Sequence, residues 1–212
     1  MTPVAPSWPD RARWLAFLKF MAMFYALFLP FYFGAGHIAA GTSETFGLYW
    51  PWERNIPLVP WMIWPYLTLF SLFLLPLFHM SANQIAALSR QSSATLVFAG
   101  AVFVLVPTHS GFAPIAGEGM HRPLFALLAI VDTRHNLVPS LHVAFSALIL
   151  FGCAAHARTL WAWSYRLWLL VMSASTVLVH QHHIFDVVSG LTLALLMRRV
   201  FPLARAGASI PP

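Results

Sequence analysis

Over 212 residues, hydrophobic side chains make up 59% and charged ones 8%, with a mean hydropathy of +0.73. A soluble domain carries roughly 25% charged and about 45–50% apolar residues, so a soluble globular domain and a disordered chain are both excluded. The single cysteine, Cys153, excludes an intramolecular disulfide and a cysteine-built zinc site.

Six apolar segments follow along the chain, at 14–34, 58–79, 93–108, 141–156, 160–179 and 184–201. A membrane-spanning helix needs about 20 apolar residues, and the third segment is near the lower limit. The first is longer than the roughly 7–15 apolar residues of a signal peptide and is rich in Phe and Tyr, so it reads as a membrane helix. The second carries Pro60, Pro65 and Pro76, which predict kinks. Residues 37–57 and 109–138 are long connections, and the run Pro123 to Val131 is apolar but too short to span. It fits an interfacial or re-entrant piece. The expectation is an all-α, polytopic six-helix bundle forming one integral membrane domain over 1–212.

Charge orients that bundle. Alternating the loops puts both termini on one side, with nine of the 12 basic residues. Arg54, Arg122 and Arg134 fall on the other side, with five of the six acids, including Glu44, Glu53, Glu118, Asp132 and Asp186. The positive-inside rule then places both termini in the cytoplasm. The net charge of +6 is thereby explained without a nucleic-acid partner.

Eight of the ten histidines, all but His79 and His156, lie on the non-cytoplasmic side. Histidine is costly in lipid, so one-sided clustering favours a polar site at that face. Two constellations sharpen it. In Leu137-Val138-Pro139-Ser140-Leu141-His142, Pro-Ser before an apolar run is a helix start with Ser140 as N-cap. The free N–H groups there suit an anion such as phosphate, and His142 sits in the first turn. In His180-Gln181-His182-His183-Ile184-Phe185-Asp186, His182 and Asp186 are spaced to share one helix face. A carboxylate on one imidazole nitrogen leaves the other free as a nucleophile. Each motif alone fits a structural cap or hydrogen bond. Together they offer an anion pocket, a proton donor and an oriented nucleophile, an inventory for phosphoryl transfer through a phosphohistidine.

These residues resemble the type-2 phosphatidic acid phosphatase superfamily. Pro139-Ser140-Leu141-His142 matches its P-S-G-H motif with Leu for Gly, and Ser175-Thr176, then His182 and Asp186, match S-R-x5-H-x3-D with Thr for Arg. Arg54-Asn55-Ile56-Pro57-Leu58-Val59-Pro60-Trp61 and the run Asn136 to Ser146 are similar to its inositol phosphorylceramide synthase-like branch. The resemblance covers roughly residues 53–200. It implies His182 as nucleophile, Asp186 as its orienting partner, His142 as general acid and Ser140 as a phosphoryl contact. It also implies a six-helix bundle with its site near the outer bilayer surface, and no metal or other cofactor. The implied partners are membrane lipids, a phospholipid or other lipid-phosphate substrate and, for a transferase, a hydroxyl acceptor. The expected location is a bacterial inner membrane, with the site facing the periplasm.

Two departures bear on the substrate. The family's K-x6-R-P motif retains Arg122-Pro123, but the lysine position holds Ile115; a gapped match uses His109 instead. Thr176 stands where the third motif has arginine. His109, Arg122 and Thr176 are therefore taken with Ser140 as candidate phosphate-binding residues. Fewer cations suit a monoanionic phosphodiester, or else His109, His121, His180 and His183 substitute as cations, or Arg134 does. Phosphatase and phosphotransferase remain equal alternatives. A histidine-rich haem or metal protein and a catalytically silent scaffold are the competing classes.

Overall fold

The computed structural model describes residues 7–113, 115, 119–133, 135–155 and 157–203. Glu118, Arg134, His156 and Arg205 lie outside the described residues. The fold is all-helical, with no strand among the described residues and an isolated bridge between Phe46 and Thr108.

Asp10 starts the first helix by accepting the Arg13 N–H at 2.8 Å. This helix, α1 (Arg11–Phe28), reaches Pro30, which has no N–H to give the ladder. The backbone widens into a π turn at Leu29–Gly34 and resumes as α2 (Ala35–Ala40). Such turns recur at functional sites, and this one places Tyr32 toward the polar interior described below. The prolines of the second segment break it outright. Pro60 opens a 3-10 turn, Pro65 lies in the first turn of α3 (Ile63–Leu72), and Pro76 in that of α4 (Leu75–His79). A missing N–H is harmless in a first turn.

The third segment needs correction. α5 (Ala82–Leu105) starts well ahead of residue 93 and stops short of 108. Ser81 and Gln84 form its capping box. Its polar first half hid the start, because Gln91, Ser92 and Thr95 are buried inside the bundle. α6 (Arg122–Val131) is a short helix that covers the apolar run Pro123 to Val131. α7 (Leu141–Ala154), α8 (Thr159–Leu178) and α9 (Ile184–Val200) fall on the last three segments.

The Arg11–Ala40 stretch and α5 are long and apolar enough to cross a membrane. Large apolar side chains are exposed on other helices too, among them Phe70 on α3, Leu170 on α8 and Val188 on α9. α7 sits at the centre, packed against α3, α4, α5, α8 and α9, with all its residues buried except His142 and Phe151.

One close approach sets the site. The Ser140 N–H donates to the Asp186 carbonyl at 3.1 Å, tying the start of α7 to the first turn of α9. Gly190 permits this, since a Cβ there would collide with the Ser140 carbonyl oxygen. Gly190→Ala should therefore destabilise by about 1–3 kcal/mol through forced separation of the two helices. Gly34→Ala, in open space, is the control. Thermal unfolding in detergent checks both, and equal melting temperatures for the two variants would contradict the packing.

Candidate active site

The site grows from the N-terminus of α9, where helix N–H groups lack intrahelical partners. Asp186, in the first turn, reaches back so that Oδ2 accepts the His183 N–H at 2.8 Å and meets His182 Nδ1 at 3.2 Å. The expected His–Asp pair is present, but not on a helix face. The helix begins only at Ile184, so the capping carboxylate, not a shared helical stripe, brings the two together. The His182 N–H donates to the Thr176 carbonyl at 3.0 Å, which fixes its backbone against the end of α8. With Nδ1 on the carboxylate, Nδ1 carries the proton and Nε2 presents its lone pair.

A second carboxylate supports the next residue. Glu53 is fully buried. Its Oε2 accepts the Ile184 N–H at 2.8 Å and faces His183 Nδ1 at 3.2 Å, while Oε1 accepts the Trp50 N–H at 2.9 Å. On the far side of that ring, His183 Nε2 accepts the Gly111 N–H at 3.0 Å. The ring is stacked between Tyr49 and Phe112, and Phe112 in turn lies flat on His180. His180 Nε2–H donates to the Ile56 carbonyl at 2.9 Å. Burial pushes the His183 and His180 pKa values down. His183, with one nitrogen accepting a backbone N–H, is neutral. It therefore does not substitute for the missing cation but anchors the 109–112 loop to α9.

His142 faces His182 from α7. Its ring lies stacked on Tyr66 with centroids 4.1 Å apart, and 6.2 Å from the His182 ring. Its Nδ1 approaches Tyr66 Oη at 3.4 Å, and its buried Nε2 has no partner among the described residues. Both imidazoles line a cavity of about 30 Å³, with Tyr32, Tyr66, Asp132 and Gln181 also on its wall. A cavity of about 380 Å³ shares Asp132, Thr133, Leu137 and Gln181 with it, and adds His109, His135 and His180. The small cavity holds about a water or two; the larger one next to it has room for a small molecule.

The candidate phosphate contacts divide. His109 lines the larger cavity, its Nδ1 3.1 Å from Thr45 Oγ1. Ser140 is the N-cap of α7 as expected, accepting the Val143 N–H at 3.3 Å, but it is fully buried and lines neither cavity. Thr176 is fully buried with its hydroxyl donated to the Ser173 carbonyl. It serves His182 through its backbone, and its side chain lines neither cavity. Arg122 is exposed at the start of α6 and lines neither cavity. Among the described residues no three His, Cys, Asp or Glu side chains converge as metal ligands.

Sequence reasoning used Glu53 and Asp132 only as loop charges and passed over Tyr32 and Tyr66. Yet there are only six acids in the chain, and a carboxylate in so apolar a sequence demands a partner. That rarity was the available signal. Burial pushes the Asp132 carboxyl above its usual range, against the hydrogen bond from Tyr66, the His182 ring and the hydrogen bond from Tyr32, which lower it.

Two predictions follow from the α9 cap. Glu53→Gln turns an NH₂ toward groups that already donate, leaving a buried donor unmet and costing about 1–3 kcal/mol. Denaturant melts check it, and an unchanged midpoint would count against the cap. His180 and His183 bind protons more weakly folded than unfolded, so their contribution to stability is lost as pH falls below the unfolded value of about 6.5. The melting temperature should drop between about pH 7 and about pH 5, and His180→Gln should blunt the drop. Asp132, with its raised pKa, contributes with the opposite sign, stabilising at low pH and losing that contribution as pH rises. Compared with known proteins, the chain matches no family model, no curated protein and no solved structure.

Proposed function

We propose that this chain is an integral membrane lipid-phosphate phosphatase or phosphotransferase that works through a phosphohistidine. The observation that carries the reading is the pair of imidazoles, His142 and His182, 6.2 Å apart across a small cavity, with the Asp186 carboxylate on His182 Nδ1. Nucleophilic catalysis asks for an oriented lone pair and a general acid opposite it.

In this mechanism His182 Nε2 attacks phosphorus. The bond to the leaving oxygen breaks, and imidazolium His142 gives that oxygen its proton. Water or a hydroxyl acceptor then attacks the phosphohistidine, the P–N bond breaks, and its proton returns to His142. Asp186 stabilises the imidazolium character that His182 gains. Water as acceptor gives a phosphatase; an alcohol gives a transferase, including head-group transfer from a phospholipid. The motifs resembling the type-2 phosphatidic acid phosphatase superfamily support the same assignment.

The membrane arrangement proposed with it has six spans, both termini cytoplasmic and the site at the non-cytoplasmic face, the periplasmic face of a bacterial inner membrane. The two long apolar helices and the exposed apolar side chains support membrane residence, and the basic-residue bias supports the orientation.

His182→Ala should abolish turnover of labelled phospholipids. Asp186→Asn should keep the fold but slow the rate by about 10³- to 10⁴-fold through the wrong tautomer. An active His182→Ala protein would refute the scheme. For orientation, cysteines at positions 110 and 157 should label from opposite sides; Cys153 is buried and silent. Labelling of both from outside would contradict the topology.

A further inference from the structure

His182 has a carboxylate behind it, and so does His142, at one remove. Tyr66 Oη lies 3.0 Å from Asp132 Oδ2 and 3.4 Å from His142 Nδ1. A phenol has one proton to give, and the closer, stronger acceptor is the carboxylate. Tyr66 therefore donates to Asp132 and accepts from His142 Nδ1–H, which leaves Nε2 of His142 as the nitrogen facing the cavity. That nitrogen is buried and has no partner among the described residues. Tyr32 holds the other carboxylate oxygen at 3.3 Å. Asn136 donates to the Tyr32 carbonyl at 2.6 Å and fixes the π turn that carries it. A polar chain this costly to bury in an apolar bundle calls for a use.

We propose that Asp132, acting through Tyr66, is a positioning residue for His142: it sets the tautomer and stabilises the imidazolium that carries the proton between the two half-reactions. The inference rests on the phosphohistidine reading above. In the first half-reaction the leaving oxygen takes the Nε2 proton and His142 becomes neutral. In the second, the attacking hydroxyl gives its proton to the same Nε2. Throughout, Nδ1–H stays on Tyr66 Oη, and the tyrosine proton stays on Asp132. The developing imidazolium is thus bonded to a phenol whose oxygen is made electron-rich by a carboxylate, and it lies on the face of the same ring, where a cation is favoured. The titratable groups facing His142 are Tyr66 from α3, Tyr32 from the π turn, Asp132 from the end of α6, and His182 ahead of α9. Asp132 and Tyr66 are the negative and electron-rich members, and His182 opposes a positive charge on His142.

The test uses the full chain in detergent or vesicles with two probes. p-Nitrophenyl phosphate has a leaving group that needs no proton; phosphatidic acid has an alkoxide that does. Asp132→Asn and Tyr66→Phe should lower kcat/KM for phosphatidic acid by about 10- to 100-fold, and the loss of kcat/KM on the aryl ester, which ends at departure of p-nitrophenolate and excludes the shared second half-reaction, should be smaller by about 10-fold. In Asp132→Asn, the alkaline limb of kcat/KM for phosphatidic acid should move to lower pH, because an imidazolium without its carboxylate gives up its proton sooner. Asp132→Glu should recover part of the rate. Equal losses on both probes with an unmoved alkaline limb would overturn the relay. Absence of a burst of p-nitrophenolate, and of histidine-bound phosphate in wild type, would instead sink the phosphohistidine reading. Where Asp132→Asn does not fold by circular dichroism, Tyr66→Phe, which keeps the ring stacked on His142, decides by the same leaving-group comparison and by the same pH limb.

Discussion

The N-terminus of α9 is held by two carboxylates, Asp186 and Glu53. Helix N–H groups buried among apolar helices must find acceptors or cost about 1–3 kcal/mol each. Here Asp186 takes the His183 N–H and Glu53 takes that of Ile184. Each carboxylate also faces the Nδ1 of a neighbouring histidine. One requirement of helix capping thus fixes two adjacent imidazoles. It also recruits distant segments, since Glu53 comes from the 3-10 turn Pro51–Asn55 and Gly111 from the loop after α5.

The two imidazoles then diverge by what meets their second nitrogen. His183 Nε2 is taken by a backbone N–H, so the ring is a strut with no lone pair left over. Among the described residues no backbone N–H meets His182 Nε2, and its ring lines the cavity opposite His142. The difference is one of neighbours, not of residue type. It explains how a chain with ten histidines can use several of them as packing and hydrogen-bonding elements: His180 on Ile56, His135 on Thr108, and His79 beside Tyr165.

Much of this was legible in the sequence where the local signal was strong. Pro139-Ser140 marked the start of α7, and the His182–Asp186 spacing marked a paired carboxylate. Long apolar runs located the helices, except where α5 buried polar residues in its first half. Spacing could not show that His182 precedes its helix, that Thr176 turns its hydroxyl onto its own helix, or that Arg122 lines neither cavity. These depend on where α9 begins and how α6 is laid against the bundle. The contributions of Glu53, Tyr66 and Asp132 come from tertiary contacts across more than sixty residues of chain. Only the rarity of acids in an apolar sequence hinted at them.

In the proposed mechanism His182 presents Nε2, and only Nε2, to phosphorus. Phosphorus-31 magnetic resonance of the trapped phosphoenzyme, joined to peptide mass spectrometry, distinguishes the two imidazole isomers and the residue that carries them. The account predicts Nε2-phosphohistidine at position 182. Phosphate on Nδ1, on another residue, or on no residue while lipid phosphate is turned over would contradict it.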